Sequence, residues 1–325
     1  MSIVKKIVAV VLMPFLVAGL LFNFTSTTLA AKPEPSSSVV YTAPITLYWL
    51  AKAGVPEAVE YVKYINAESI IKPDNIAHFE RVERINKIYQ EIRYASLNDF
   101  IESEKYTNVM DLGCGVSPRF IYLAPKGINY VGTDLQDVVN VLNIYAPNFI
   151  KDDTKKYVNF KVADASNHKE MMTAAKGIDG KVCIVEEGLL MYLSHDQQKA
   201  MLASIRDILK KHGGCFVTSD FVAGESFMSA NRTIYGDEDA VIIAKETQKL
   251  YEGVSEVLFN DTMFKTTEEA VKFIEEQGLK VEMRPLFHST PDLRSIRDLN
   301  SRDIASINTM LQQKLLWVIT VDDEK

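Results

Sequence analysis

Cysteine is scarce in this chain. Cys114, Cys183 and Cys215 are an odd number, scattered through segments that read as strand or strand end. That usage suggests no disulfide framework, and no CxxC or Cys/His spacing offers a metal site. The three read instead as small buried hydrophobes. Positive charge is also short: the net charge is −7, and the deficit deepens once the first thirty residues, with Lys5 and Lys6 but no acid, are set aside. Such a surface repels a polyanion, and no basic groove is legible in the order of residues, so nucleic acid is not an expected partner. No Ser-His-Asp set stands out, and nothing marks a repeat array, a collagen or a disordered chain. The 325 residues, 47% hydrophobic and 24% charged, suffice for one substantial core or two smaller ones.

The first thirty residues are a different material. Lys5 and Lys6 precede an apolar run from Ile7 to Phe22, and a polar stretch then ends in Thr28-Leu29-Ala30. Charge, length and the small residue at the end match a secretory signal peptide over residues 1–30, which implies export. The run is shorter than the roughly 20 residues that span a bilayer comfortably; extending it to Phe24 gives the alternative, a membrane anchor with association through residues 1–24. Residues 31–38, AKPEPSSS, form a Pro/Ser-rich linker, so the folded domain is expected over 39–325. Export sits awkwardly with three thiols that oxidation would reach unless they are buried.

From Asn108 onward, short apolar runs alternate with amphipathic segments, the pattern of an α/β fold with a parallel sheet. The expected strands are Asn108 to Leu112, Asn129 to Thr133, Val158 to Val162, Lys181 to Val185, Cys215 to Ser219, Val281 to Pro285 and Leu315 to Val321. The best specified helix lies between the fourth and fifth. Ser194 and Gln197 form a capping box, Met201, Leu202, Ile205, Ile208 and Leu209 supply an apolar face, and Gly213 and Gly214 stop it. A second helix runs from about Thr267 to Gln277 and stops at Gly278. Residues 39–101 read as a helical cap over the sheet edge, and 222–266 as a polar insertion placed where a substrate lid would be.

The residues that carry chemistry start at Asp111-Leu112-Gly113-Cys114-Gly115, between an apolar strand and a helix expected to begin near Pro118. Glycines here permit a tight turn and let the backbone approach a ligand. An ordinary strand-to-helix turn would use them too, because a lone GxG recurs by chance. Asp134 follows at the tip of the second strand, placed to accept hydrogen bonds from ribose hydroxyls or simply to cap the next helix. After Gly115 come Val116, Ser117, Pro118 and Arg119, with no third glycine of GxGxxG, which leans away from a dinucleotide. Asp164 in VADAS is positioned for an adenine amino group or as a helix cap. Glu186 and Glu187 end the fourth strand, and two buried acids side by side require at least one to face water or a cation.

These segments resemble the leucine carboxyl methyltransferase family, in its branch of bacterial carboxyl O-methyltransferases acting on polyketides and other small acids. The likeness rests on LGCGVSPR, YVGTDL, EEGLLMYLS with the following helix ending KKHGG, FVTSDF, the upstream RYASLNDF and the opening Tyr41-Thr42-Ala43, and it covers residues 40–322. It implies a Rossmann-like seven-stranded sheet of order 3-2-1-4-5-7-6 with the last strand antiparallel, and S-adenosylmethionine as cofactor. By the same resemblance, Gly113 and Gly115 line the methionine portion, Asp134 holds the ribose, Asp164 meets the adenine, Glu187 is the acid near the cofactor, and Arg93 pairs with its carboxylate. The leader is no part of the family pattern.

The implied reaction moves a methyl group from a sulfonium to a carboxylate oxygen of a small molecule or peptide, forming a methyl ester. A carboxyl with pKa about 4 is already ionised, so no general base is required and no catalytic acid or base is nominated. Arg119 or Arg232 is expected to supply positive charge to an anionic substrate. A monomer is expected. Two other readings stay open: a protein that binds the cofactor without turnover, and an NAD-dependent oxidoreductase. An exported enzyme would also be separated from a cofactor made in the cytosol.

Overall fold

The computed structural model describes residues 43–65, 79–221, 264–286, 293–297 and 314–322, with Arg232, Thr262 and isolated positions between 299 and 308. The expected leader, the linker and nearly all of the insertion at 222–266 lie outside the described residues. In chain order the elements are α1 (Ala43–Ala53), α2 (Pro56–Ile65), α3 (Phe79–Ser103), β1 (Asn108–Leu112), α4 (Arg119–Leu123), β2 (Asn129–Asp134) and α5 (Gln136–Tyr145). There follow β3 (Val158–Val162), α6 (His168–Ala174), β4 (Val182–Glu186), α7 (His195–His212), β5 (Gly214–Thr218), α8 (Thr267–Glu275), β6 (Leu279–Pro285) and β7 (Leu315–Val321). Among the described residues no helix is long and apolar enough to cross a membrane.

The strands form one sheet in the order β3-β2-β1-β4-β5-β7-β6, as the resemblance implied. β3, β2, β1, β4 and β5 are parallel neighbours, while β7 runs antiparallel to both β5 and β6. Reversal of strand order beside β1 opens a crevice at the carboxyl ends, the usual position for a ligand in such sheets. β1 and β4 are buried along their whole length, as central parallel strands covered on both faces should be.

Strand alternation sorts the core into two layers. Met110, Leu112, Ile184, Phe216 and Trp317 pack on one face with α6, α7 and α8. Val109, Cys183, Val185, Cys215 and Val318 face the other way, onto α1, α2, α3, α4 and α5. The three thiols are buried in that second layer, as small hydrophobes would be. The helices expected as a cap over the sheet edge therefore take part in a face layer. α1 buries Ile45, Leu47, Tyr48, Trp49 and Leu50, so it is apolar nearly all round and belongs inside.

α7 begins where the sequence placed it. The Ser194 hydroxyl accepts the Gln197 N–H at 3.3 Å, and Gln197 Oε1 accepts the Ser194 N–H at 2.9 Å. All five apolar residues named for its inner face are buried, and Gly213 ends it with φ 71°. Replacing Ser194 by Ala leaves one N-terminal N–H without a partner and is expected to cost about 1 kcal/mol, read as a lower urea midpoint with an unchanged slope.

Candidate functional site

The glycine turn after β1 needs its glycines for stated reasons. Gly113 and Gly115 have φ of 57° and 53°, in the left-handed region. A Cβ on Gly113 would lie 3.0 Å from the Leu189 side chain, and one on Gly115 would lie 3.2 Å from Ala43. Gly113→Ala is expected to destabilise the fold by about 1–2 kcal/mol through the backbone alone, with Leu189 adding to it; thermal melting of the variant checks this. α4 is only five residues long, so the turn is shaped by Gly115 and its partner on β2.

That partner is Asp134. Its Oδ2 accepts the Gly115 N–H and its Oδ1 accepts the Leu135 N–H, both at 2.7 Å. The carboxylate thereby ties the tip of β2 to the glycine turn, and each oxygen keeps a lone pair for a further donor. Burial pushes the Asp134 carboxyl up to about 6, with the two N–H groups opposing the shift. Through Leu135 it also meets the start of α5, one of the two alternatives read from the sequence.

Asp164 stands at the end of β3, half-buried. Its Oδ1 accepts the backbone N–H and the hydroxyl of Ser166, each at 2.8 Å. The cap of α6 is Asn167, whose side chain accepts the Glu170 N–H. Asp164 is thus not needed as the cap.

The two acids at the end of β4 have parted. Glu186 turns inward, 0% exposed, and accepts the Leu189 N–H at 2.5 Å, the Leu190 N–H at 3.1 Å and the Thr218 hydroxyl at 2.5 Å. Burial, reinforced by Asp220, pushes its carboxyl well above the usual range. Glu187 faces a cation, as two adjacent acids required, and the cation is the protein's own: its Oε2 accepts from Arg119 Nη2 at 2.7 Å. Its Oε1 lies 3.8 Å from Arg93 Nε and is a buried acceptor with no hydrogen-bond partner.

Arg119 does not present its charge to a substrate. It is 0% exposed, donating from Nη1 to Asp111 at 2.9 Å, from Nη2 to Glu187, and from Nε to Asn98 at 3.0 Å. Asp111 also accepts the Tyr130 hydroxyl at 2.9 Å. The substrate role expected for Arg119 is therefore not carried forward. Arg232 is exposed and stands in the insertion with its neighbours outside the described residues.

Arg93 projects from α3 to the ends of β4 and β5. Its Nη2 donates to both oxygens of Asp220 at 2.8 Å and its Nε to Ser219 Oγ at 3.2 Å, while Nη1 has only Gln90 Oε1 at 3.5 Å. Asp220 also accepts the Gly188 N–H, so this pair clamps two strand ends together. Sequence reasoning quoted Asp111 in the glycine motif and Asp220 in FVTSDF but gave neither a role in the site. Asp220 was findable: like Asp134 and Asp164 it is an acid at the tip of a strand. The role of Asp111 was not, because Arg119, 8 residues on, and the Tyr130 hydroxyl meet it only in the fold.

Gly113, Gly115, Asp134, Asp164 and Glu187 thus stand at or just beyond the carboxyl ends of β1 to β4, and Arg93 reaches the same edge from α3. No group of His, Cys, Asp and Glu among the described residues is arranged to hold a metal ion. Neither a protein-family model nor a curated protein sequence matches the chain. Solved structures do resemble it. One is the methyltransferase domain of bacterial CtHen1, 13% identical, with a TM-score of 0.45 over 71% of this chain and 98% of that one. A second is magnesium protoporphyrin IX methyltransferase from Synechocystis PCC 6803 with bound SAH, 13% identical, with a TM-score of 0.41 over 74% and 94%. A third is the glycopeptide N-methyltransferase MtfA, 12% identical, with a TM-score of 0.41 over 70% and 88%.

Proposed function

We propose that the carboxyl edge of this sheet binds S-adenosylmethionine and that the chain transfers its methyl group to a carboxylate of a small molecule or peptide, the activity of the leucine carboxyl methyltransferase family that its motifs resemble. The observation that carries the reading is Glu187 Oε1, a buried acceptor without a hydrogen-bond partner just beyond the end of β4, the strand beside β1. An unsatisfied buried carboxylate oxygen is costly, and an ammonium donor from a bound ligand satisfies it. A cofactor with an amino-acid tail brings such a donor. A dinucleotide brings pyrophosphate instead, an acceptor that offers Glu187 Oε1 no donor.

The remaining residues fit the same group. Asp134 has lone pairs left for two ribose hydroxyls, Asp164 has Oδ2 for an amino group, and Arg93 Nη1 retains donors for a carboxylate. When bound, the cofactor supplies an electrophilic methyl group on a cationic sulfur. The protein's task is then alignment, which intramolecular reactions value at roughly 7–11 kcal/mol. Arg93, Asp220 and Arg119 serve it by locking the ends of β1, β4 and β5 in register. No proton needs to move.

Calorimetric titration with S-adenosylhomocysteine and, separately, NADH tests the cofactor. Binding of the first and not the second is expected; the reverse would support the oxidoreductase and end this reading. Export remains part of the proposal. A mature amino terminus beginning after residue 30 supports it, and a soluble cytosolic protein beginning at Met1 refutes it.

A further inference from the structure

The carboxyl edge holds a third cation besides the two arginines. Lys314 immediately precedes β7, and because β7 is antiparallel to β5, with Thr218 opposite Trp317, its first residues lie beside the end of β5. The Lys314 carbonyl accepts the Leu286 N–H at 3.0 Å, which fixes the backbone there between β6 and β7. The Lys314 Nζ lies 5.5 Å from the centroid of the Tyr89 ring, and Arg93 Cζ lies 5.3 Å from the same centroid. One ring of α3 thus carries two cations.

Their partners differ. Arg119 is paired with Asp111 and Glu187, and Arg93 with Asp220. Lys314 is half-buried, and among the described residues its ammonium makes no ion pair or hydrogen bond. Both oxygens of the nearby Asp220 already hold Arg93, and one of them also holds the Gly188 N–H. An ammonium carries three donors and accepts nothing, so partial withdrawal from water leaves it in need of an anion. Burial and the neighbouring Arg93 lower its pKa to about 8, with Asp220 opposing, which still leaves it a cation at neutral pH.

We propose that Lys314 binds the carboxylate of the methyl acceptor. This rests on the methyl-transfer reading and assigns a positive charge to the acceptor, because Arg119 is held by Asp111 and Glu187 and the free donors of Arg93 Nη1 are given to the cofactor carboxylate. In the reaction the methyl carbon's bond to sulfur breaks as its bond to a carboxylate oxygen forms. The sulfonium becomes a neutral thioether and the carboxylate a neutral ester, with no proton gained or lost. The ester no longer attracts Lys314, so substrate is held and product is released by the same residue. The methionine tail of the cofactor is the other carboxylate within this chemistry, and the experiment separates the two.

The full chain, saturated with S-adenosylhomocysteine, is titrated with three carboxylates, octanoate, benzoate and N-acetyl-leucine, and with their primary amides, for wild type, Lys314→Met and Lys314→Arg. The wild type is expected to bind at least one acid about tenfold or more tightly than its amide. Lys314→Met should lose that preference, Lys314→Arg should keep part of it, and both should bind S-adenosylhomocysteine within about threefold of wild type. A wild type with no preference in any pair, or a Lys314→Met variant that keeps it, overturns the proposal. So does a Lys314→Met variant whose main defect is in S-adenosylhomocysteine binding, which would assign the lysine to the cofactor tail. Failure of the wild type to bind S-adenosylhomocysteine refutes the methyl-transfer reading itself, a result distinct from all of these.

Discussion

Replacing Arg119 by Met is expected to cost about 3–5 kcal/mol of folding stability, the largest effect of any single substitution considered. Two carboxylates depend on this guanidinium, Asp111 with its side chain 2% exposed and Glu187 with 8%. Removing the cation leaves Asp111 with only the Tyr130 hydroxyl and Glu187 with only Arg93 at 3.8 Å, and the poorly compensated buried acids dominate the loss. The guanidinium also lies 5.3 Å from the centroid of the Tyr94 ring, so packing is lost with the charge. Arg119→Lys restores the charge without the planar fork that reaches Asp111, Glu187 and Asn98 together, and should recover only part of the stability. Urea unfolding of the two variants measures this. A Met variant within about 1 kcal/mol of wild type, the range of an exposed pair, would mean that the acids are solvated and the buried network is not what holds β1 to β4.

Asp134 carries the second large effect, on binding. Hydrogen bonds to a charged group are worth about 1.5–3 kcal/mol each, and two ribose hydroxyls are expected on this carboxylate. Asp134→Ala should weaken S-adenosylhomocysteine binding by about 100-fold or more, or roughly 2.7 kcal/mol. Asp134→Asn keeps one oxygen and should lose about tenfold. The carboxyl has its pKa raised to about 6 by burial. Hydroxyl donors favour the ionised form, so protonation opposes binding. Wild-type affinity is therefore expected to be flat above about pH 7 and to fall as pH drops through 6, while the Asn variant shows no such fall. Titrations at pH 5 and pH 7.5 provide the comparison, and equal wild-type affinity at both would remove Asp134 from the ribose.

Much of the sheet was legible in the sequence because central strands covered on both faces are continuous apolar runs. β1, β3 and β7 have the expected bounds. β4 and β5 are displaced by one residue, and for a physical reason. The apolar run of β4 stops at Val185, but backbone pairing is indifferent to side-chain polarity and continues to Glu186, opposite Leu112 and Thr218. At the other end Lys181 is exposed and unpaired with β1, while Gly214, read as part of a helix stop, pairs with Val182 and opens β5. β6 starts two residues early, at Leu279, directly after Gly278 turns the chain.

The site was legible as positions and not as partners. Strand tips could be read from hydrophobic patterning, which brought Asp134, Asp164 and Glu187 to one edge. What each charge would meet depends on pairs far apart in sequence, such as Arg93 with Asp220 or Arg119 with Glu187, 127 and 68 residues apart. This is why Arg119 reads in sequence as a charge for substrate and in the fold as a buried partner. It is also why Lys314, in an unremarkable Gln-Lys-Leu context, acquires interest only once an antiparallel β7 returns it to the carboxyl edge of β5.

The most direct test of the account is methyl transfer by the full chain from methyl-labelled S-adenosylmethionine to a pool of carboxylic acids, followed by base treatment. Label released as methanol, and lost in Asp134→Ala, is the predicted result. Label that survives base would mean an acceptor other than a carboxylate, and S-adenosylhomocysteine binding with no labelled product from any acid would make this a cofactor-binding protein without turnover.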